Sequence, residues 1–284
     1  MNETVKIWTD ISLSDLNSSR LLYENGHYRT SYFLFQQATE KANKAFAHLA
    51  GLFSETEFKD IQHDQMKIYR KSIIKQERII DTLIQLFEPY PKIANHKIFE
   101  KTNFTEYQKS LLNGVSFIDS LRNNDLVRIS AYDLNSIIKQ LIKLRDTQIK
   151  IPRNFDFLFK TKILEVTDWI GQLGTEKAIE EKEKLEKLIN DQEQSSQLYD
   201  LMVTQVFPLL IDLVFVNVTL YVCALITIQH SSLTRYPEYN INPDSIYIKR
   251  LPVVKKQNEF MDLLNEATLK INRINQNTNE KNAC

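Results

Sequence analysis

The most constraining stretch of this chain runs from Val206 to Glu238, VFPLLIDLVFVNVTLYVCALITIQHSSLTRYPE. It is the only long apolar run in the sequence, and it ends in a compact polar cluster, His230 to Tyr236. The other candidate helices carry one apolar face each. A helix that is apolar nearly all round is therefore predicted to be the post they pack against. Its length would also suffice for a membrane span. Asp212 and Asn217 lie inside it, Pro208 lies near its start, and its flanks carry little positive charge. A mid-helix Asp costs roughly 2.5–3.5 kcal/mol on insertion scales, which favours a buried core helix and no membrane.

Only 5 glycines and 7 prolines occur in 284 residues, too few for a strand-rich fold with frequent reversals. The expected fold is all-α, an antiparallel helical bundle with additional inserted helices. Lys+Arg and Asp+Glu balance at 36 each, which argues against a globally basic nucleic-acid binder while leaving room for a local patch. Cys223 and Cys284 make neither a disulfide framework nor a metal spacing, and this points to a reducing cytoplasm. The N-terminus, MNETVKIWTD, lacks the basic-then-apolar layout of a secretory signal.

The apolar periodicity predicts helices over Ile11 to Asn25, with Ser12 or Ser14 as N-cap, and over His27 to Phe53. In the second, Leu34, Ala38, Ala42, Ala45, Phe46 and Leu49 share a face, and the alanines let a neighbour approach closely. Further helices are predicted over roughly His63 to Phe87, ended by Pro89-Tyr90-Pro91, and over Thr105 to Arg122 and Ala131 to Gln148. Phe155 to Leu173 is aromatic-rich. Thr175 then caps EKAIEEKEKLEKLINDQEQ, whose Glu180–Lys184 and Glu183–Lys187 pairs predict a solvated helix with a thin apolar stripe. Its heptads are too few for a coiled-coil arm. A last helix is expected from about Val253 to Ile274, and only Ile246 to Leu251 reads as extended.

Neither GxGxxG nor GxxxxGK occurs, and no serine sits in a GxSxG elbow. His27, His48, His63, His96 and His230 stand apart, with no partner histidine at i+3 or i+4, so no metal and no cofactor are expected. Two stretches carry more than patterning needs. In QATEKANKA, Gln37 to Ala45, helix propensity alone accounts for Glu and Lys on a wet face. In HSSLTRYPE, His230 and Arg235 suit a helix C-terminus and Pro237 blocks continuation.

Taken in order, GHYRTSYFLFQQATEKANKAF, IQHDQMKIY, HSSLTRYPE and a final amphipathic helix resemble the HEPN family of all-α domains. That family's second helix typically carries Gln-Ala-x-Glu-Lys-x-x-Lys-Ala after a Gly-x-Tyr start, here Gly26, Tyr28, Gln37, Ala38, Glu40, Lys41, Lys44 and Ala45. Many members also show an Arg-Tyr-Pro-Asp/Glu tract before the last helix, here Arg235, Tyr236, Pro237 and Glu238. The His63-x-x-x-Lys67 step is similar to one in HEPN-like abortive-infection phage-resistance proteins.

The resemblance covers roughly 11–87 and 198–276. It implies a HEPN-like bundle in two parts, 1–90 and 198–284, separated by a helical insertion over 91–197. Many members are RNases of toxin–antitoxin, CRISPR or phage-defence systems and act through Arg-x4–6-His without metal. Others lack that motif and bind nucleotides or serve as accessory partners, often beside a nucleotidyltransferase. This chain departs from the motif. Its only Arg-x6-His is Arg20 to His27, with Asn25-Gly26 interrupting the helix between them. Arg122-Asn123 and Arg153-Asn154 have Val127 and Leu158 where a histidine would stand.

The resemblance thus implies a cytoplasmic, homodimeric protein of a prokaryotic defence or toxin–antitoxin system. It would bind a nucleotide, RNA or a protein partner such as a nucleotidyltransferase. A metal-independent endoribonuclease, with His27, His230 and Arg235 as candidates, and a purely structural adaptor are the alternatives. The expected ligand site joins Glu40, Lys41 and Lys44 on the second helix to His230, Arg235 and Tyr236 at the post's end. There Arg235 would pair with phosphate, Tyr236 would stack on a base, and His230 would switch charge near neutral pH. The plainer arrangement has Glu40 and Arg235 paired to each other, locking two helices together.

Overall fold

A computed structural model describes residues 2–87, 89, 104–121, 129–236 and 242–280. Among these residues the regular structure is all helix, with no strand. The helices are α1 (Glu3–Glu24), α2 (Tyr28–Leu49), α3 (Glu55–Ile61), α4 (Gln65–Phe87), α5 (Phe104–Leu121), α6 (Ala131–Arg145) and α7 (Phe155–Gln172). They continue as α8 (Glu176–Asn190), α9 (Gln192–Leu201), a π-helical turn at Met202–Val206, and α10 (Phe207–Ile228). Three short pieces, α11 (His230–Leu233), α12 (Pro243–Ile246) and α13 (Pro252–Lys255), lead into α14 (Gln257–Glu280). The fold class is all-α. Readings placed on Tyr90, Pro91, His96, Arg122, Asn123, Val127, Pro237, Glu238 and Cys284 lie outside the described residues.

The chain divides into two compact units. The first comprises 1–72, 114–147 and 211–284, and the second 73–113 and 148–210. In the first, α1 begins at Asn2, whose side chain accepts from the N–H groups of Thr4 and Val5. This is about two turns earlier than the periodicity predicts. Ser12 is no cap. It is buried and its hydroxyl donates to the Ala38 carbonyl at 2.8 Å. Gly26, at φ +80°, reverses the chain into α2.

The bundle is antiparallel, and its hydrogen bonds record the register. Ser19 donates to the Ser31 carbonyl (2.7 Å), so α2 runs back along α1. Arg20 reaches Asp262 (2.6 Å) and Asn275 reaches the Asn2 carbonyl (3.0 Å), so α14 does the same on another side. Tyr32 donates to the Ile226 carbonyl (2.7 Å) and Asn43 to the Leu220 carbonyl (3.4 Å), which sets α10 against α2. Phe35, Ala38, Ala42, Leu220, Phe260 and Leu264 fill the space between these helices. From within the expected 91–197 insertion, α6 sends Leu134, Ile138 and Leu141 into this same core.

Two predicted features come out differently. The segment between the predicted helices ending at Phe53 and starting near His63 contains α3, started by a capping box in which Ser54 and Glu57 satisfy each other's backbone N–H. The extended reading of Ile246 to Leu251 gives way to the end of α12, capped by Asn242, followed by turns. The apolar post is also enclosed over only part of its length. Phe215, Val216, Leu220, Cys223 and Ala224 are buried, whereas Leu209, Leu210, Val214 and Val218 are 37–50% exposed. Asp212 lies between the exposed Leu210 and Val214 and is held by Lys270 (2.5 Å) and Arg273 of α14. The helical run 192–228 is long and apolar enough to cross a membrane, and 39% of its most apolar window is buried.

In the second unit, Thr175 caps α8 as predicted, accepting from the Ala178 N–H, and Glu180 pairs with Lys184 at 2.8 Å. Gly171 of α7 leaves room for the Lys182 stem, since a Cβ there would lie 2.6 Å from its Cδ. That gap lets Lys182 reach Asp168 (3.0 Å). Burial is sparse: Thr167, Ala178 and Ile189 are the buried residues of α7 and α8.

Candidate functional site

The central site is built on the face of α2 that carries Gln36, Glu40 and Asn43, at i, i+4 and i+7 and all at most 4% exposed. Buried polar groups need partners, and the start of α4 supplies them. Asn43 Oδ1 accepts from Tyr69 (2.5 Å), and Asn43 Nδ2 donates to the Thr39 carbonyl (2.9 Å). Gln65 Nε2 donates to the Gln36 carbonyl (3.4 Å). Burial pushes the Tyr69 phenol well above its ordinary pKa, so it remains a donor.

Glu40 Oε1 accepts from Lys44 Nζ (2.8 Å) and lies 3.0 Å from Nδ1 of His63, in the turn between α3 and α4. The other carboxylate oxygen is enclosed and has no hydrogen-bond partner among the described residues. The two ends of this contact differ: the Glu40 side chain is 5% exposed and that of His63 is 79%. A buried carboxylate thus holds one ring nitrogen of a histidine whose ring lies in solvent.

The turn that carries His63 is tightly fixed. Gln62 adopts φ +50°, a region that costs a non-glycine residue of order 1–3 kcal/mol. Asp64 Oδ1 then accepts from the Met66 and Lys67 N–H groups (3.0 and 3.3 Å), closing the first turn of α4. His63, Gln36, Lys67 and Ile228 line a groove of about 530 Å3 at this point. A cation, a histidine and amide groups around an open groove suit a phosphate-bearing ligand. Among the described residues no group of three or more His, Cys, Asp or Glu could hold a metal ion.

The predicted convergence of Glu40, Lys41 and Lys44 with His230, Arg235 and Tyr236 does not form. Lys41 is paired with Asp15 (2.8 Å), and Lys44 lies 5.1 Å from the Trp8 ring centroid as well as on Glu40. His230 is buried, with Nδ1 2.6 Å from the Tyr247 hydroxyl and its ring against Tyr32. Arg235 lies over the Phe33 ring at 4.9 Å, and Tyr236 is 63% exposed. Phe33 and Glu40 are separated by about 10 Å along α2, so Glu40 takes Lys44 and His63 rather than Arg235 as partners. Arg29 fixes the His230 corner, donating to the Thr234 carbonyl (2.9 Å) and pairing with Asp244 (2.7 Å).

The other candidates also separate. His27 is exposed just before α2, and Arg20, its partner in the sequence motif, is committed to Asp262. Sequence reasoning placed His63 and Lys67 in the resemblance but not in the site. The pairing of His63 with Glu40 spans 23 residues, and no local pattern announces it.

These features define an all-α bundle with a buried polar seam and a histidine at its edge. Residues 5–106, about a third of the chain, match the family model of the HEPN domain, so that segment is similar to this family. Glu40, Asn43, His63 and Lys67 lie inside the match, whereas His230, Arg235 and Tyr236 lie beyond it. No curated protein and no solved structure matches the chain.

Proposed function

We propose that this HEPN-like protein serves a prokaryotic defence or toxin–antitoxin system by binding the phosphate backbone of RNA, or a nucleotide, in the groove at the α3–α4 turn. The observation that carries this reading is the Glu40–His63 contact beside Lys67. Lys67 supplies a cation for phosphate, and His63 supplies a polar ring held in orientation by a carboxylate that solvent does not reach. The protein acts in the cytoplasm as a homodimer in this reading. Titration of a short single-stranded RNA and of ribonucleoside triphosphates against the intact chain tests it. Binding that weakens steeply with salt and is lost in Lys67→Ala supports the reading, whereas no binding at low salt removes it.

One observation favours a second reading, a metal-independent endoribonuclease. A histidine with Nδ1 on a carboxylate and its other nitrogen free to meet a 2′-hydroxyl is the arrangement that general-base catalysis needs. Cleavage that persists in EDTA and disappears in His63→Ala would establish it. Cleavage that survives His63→Ala but not His230→Ala would assign the chemistry elsewhere.

A further inference from the structure

The second unit contains a groove that plays no part in the reading above and lies outside the matched domain. It encloses about 760 Å3 between the start of α7 and α9, a volume typical of small-molecule sites. Arg153, just before α7, and Lys160, in its second turn, line one side, with Ser196 and Tyr199 of α9 opposite. Neither cation forms an ion pair among the described residues. Lysines farther along the unit do, Lys162 with Glu165 (2.6 Å) and Lys182 with Asp168 (3.0 Å).

The groove is also aromatic. Phe157 stands 67% exposed in its lining, and Tyr199 packs edge-on to Phe159 at 6.5 Å. Phe155 braces both rings from behind, with centroids 6.0 Å from Phe159 and 5.7 Å from Tyr199. Asp156 and Asp200 complete the lining as acceptors. They would repel an all-anionic ligand such as an acidic peptide. They suit one whose negative charge is confined to one end and whose other end is a flat ring bearing N–H or hydroxyl donors. Directly after Asp200 the helix widens into the π turn, where the Thr204 hydroxyl donates to the Asp200 carbonyl (2.6 Å). Single π turns of this kind recur beside ligand sites.

We infer that this groove binds a nucleoside phosphate, with the phosphate on Arg153 and Lys160 and the base against Phe157 and Tyr199. The inference stands apart from the α3–α4 groove and does not depend on it. The probe is ATP carrying a methylanthraniloyl group on its ribose, titrated by fluorescence against the whole chain at low salt. Arg153→Ala/Lys160→Ala should weaken binding by about tenfold or more, and Phe157→Ala by about tenfold. In a His63→Ala/Lys67→Ala background, which removes the α3–α4 groove's contribution, the probe should still bind and the Arg153/Lys160 and Phe157 substitutions should still weaken it, which separates the two grooves.

Displacement by AMP would identify a free nucleotide as the source, and displacement only by a 5′-phosphorylated oligoadenylate would identify a strand end. Either result supports the site. Arg153 and Phe157 are exposed, so unaltered melting curves are expected for their variants. Absence of probe binding, or binding that is indifferent to both the cation and the Phe157 substitutions, would overturn the inference.

Discussion

In the first unit, the polar residues of α2 turn inward. Gln36, Glu40 and Asn43 are almost fully buried, and their polar groups meet Gln65, Tyr69, Lys44 and His63. In the second unit, Arg153, Asp156 and Asp200 face solvent across an open groove, and few side chains around them are buried. The contrast separates two uses of the same residue types. Inward, a Glu or Asn fixes helix register, because an unsatisfied buried group is costly. Outward, the same chemistry stays available for a ligand. Among the polar residues of the signature on α2, Glu40 is of the first kind, and His63 is where that seam reaches the surface.

Core truncation should expose the difference most strongly. Phe35→Ala is expected to cost about 3–5 kcal/mol, while Phe157→Ala in the open groove should stay within about 0.5 kcal/mol. Urea melts followed by circular dichroism compare them, and similar losses at both sites would erase the contrast. Next in size, Asn43→Ala strips acceptors and donors from Tyr69, Thr39 and Leu220. A loss of about 1–3 kcal/mol is expected, and a neutral outcome would show that the seam contributes no register.

A smaller and opposite effect is expected at the turn that presents His63. Gln62→Gly relieves the φ +50° conformation and should stabilise the chain by about 1 kcal/mol after the added entropy of the unfolded glycine is subtracted. The smallest effect is a pH dependence. His48 is half-buried and stacked on Phe58, with ring centroids 3.8 Å apart. Burial, with some help from Lys44, holds its imidazole below the ordinary value of 6.5. The unfolded chain therefore binds this proton more readily. Its contribution to stability is fully present above about pH 6.5 and declines as pH falls from there toward the folded value. Replacing His48 with Gln should flatten the change in urea midpoint across that window.

The helical class, the closely packed alanine face of α2 and the capped charged helix α8 were all legible, because each leaves a local record in apolar spacing or a capping residue. Asn2 and the Ser54-x-x-Glu57 box were also in the sequence, as capping signals rather than apolar ones. What apolar spacing does not register is a buried polar residue. Gln36, Thr39 and Asn43 are as enclosed as Ala38 and Ala42, yet hydrophobic pattern assigns them to water. The partner of Glu40 was hidden for a different reason. Whether it meets Arg235 or His63 depends on where along α2 each neighbouring segment arrives, and this is set by the packing of whole helices. The apolar run shows a third gap: composition specifies a greasy helix but not which of its turns the chain covers, so Leu210 and Val214 emerge exposed while Leu220 and Cys223 do not.

The most direct test of the claim that the seam's exposed edge is the binding group compares two double variants in one assay. Fluorescence anisotropy of a short labelled RNA would be measured with His63→Ala/Lys67→Ala and with Arg235→Ala/Tyr236→Ala, alongside their melting temperatures. The first pair should lose affinity by at least about tenfold at an unchanged melting temperature, with the second pair binding like the parent. Lost binding in the Arg235/Tyr236 pair, with full binding retained in the His63/Lys67 pair, would contradict the account.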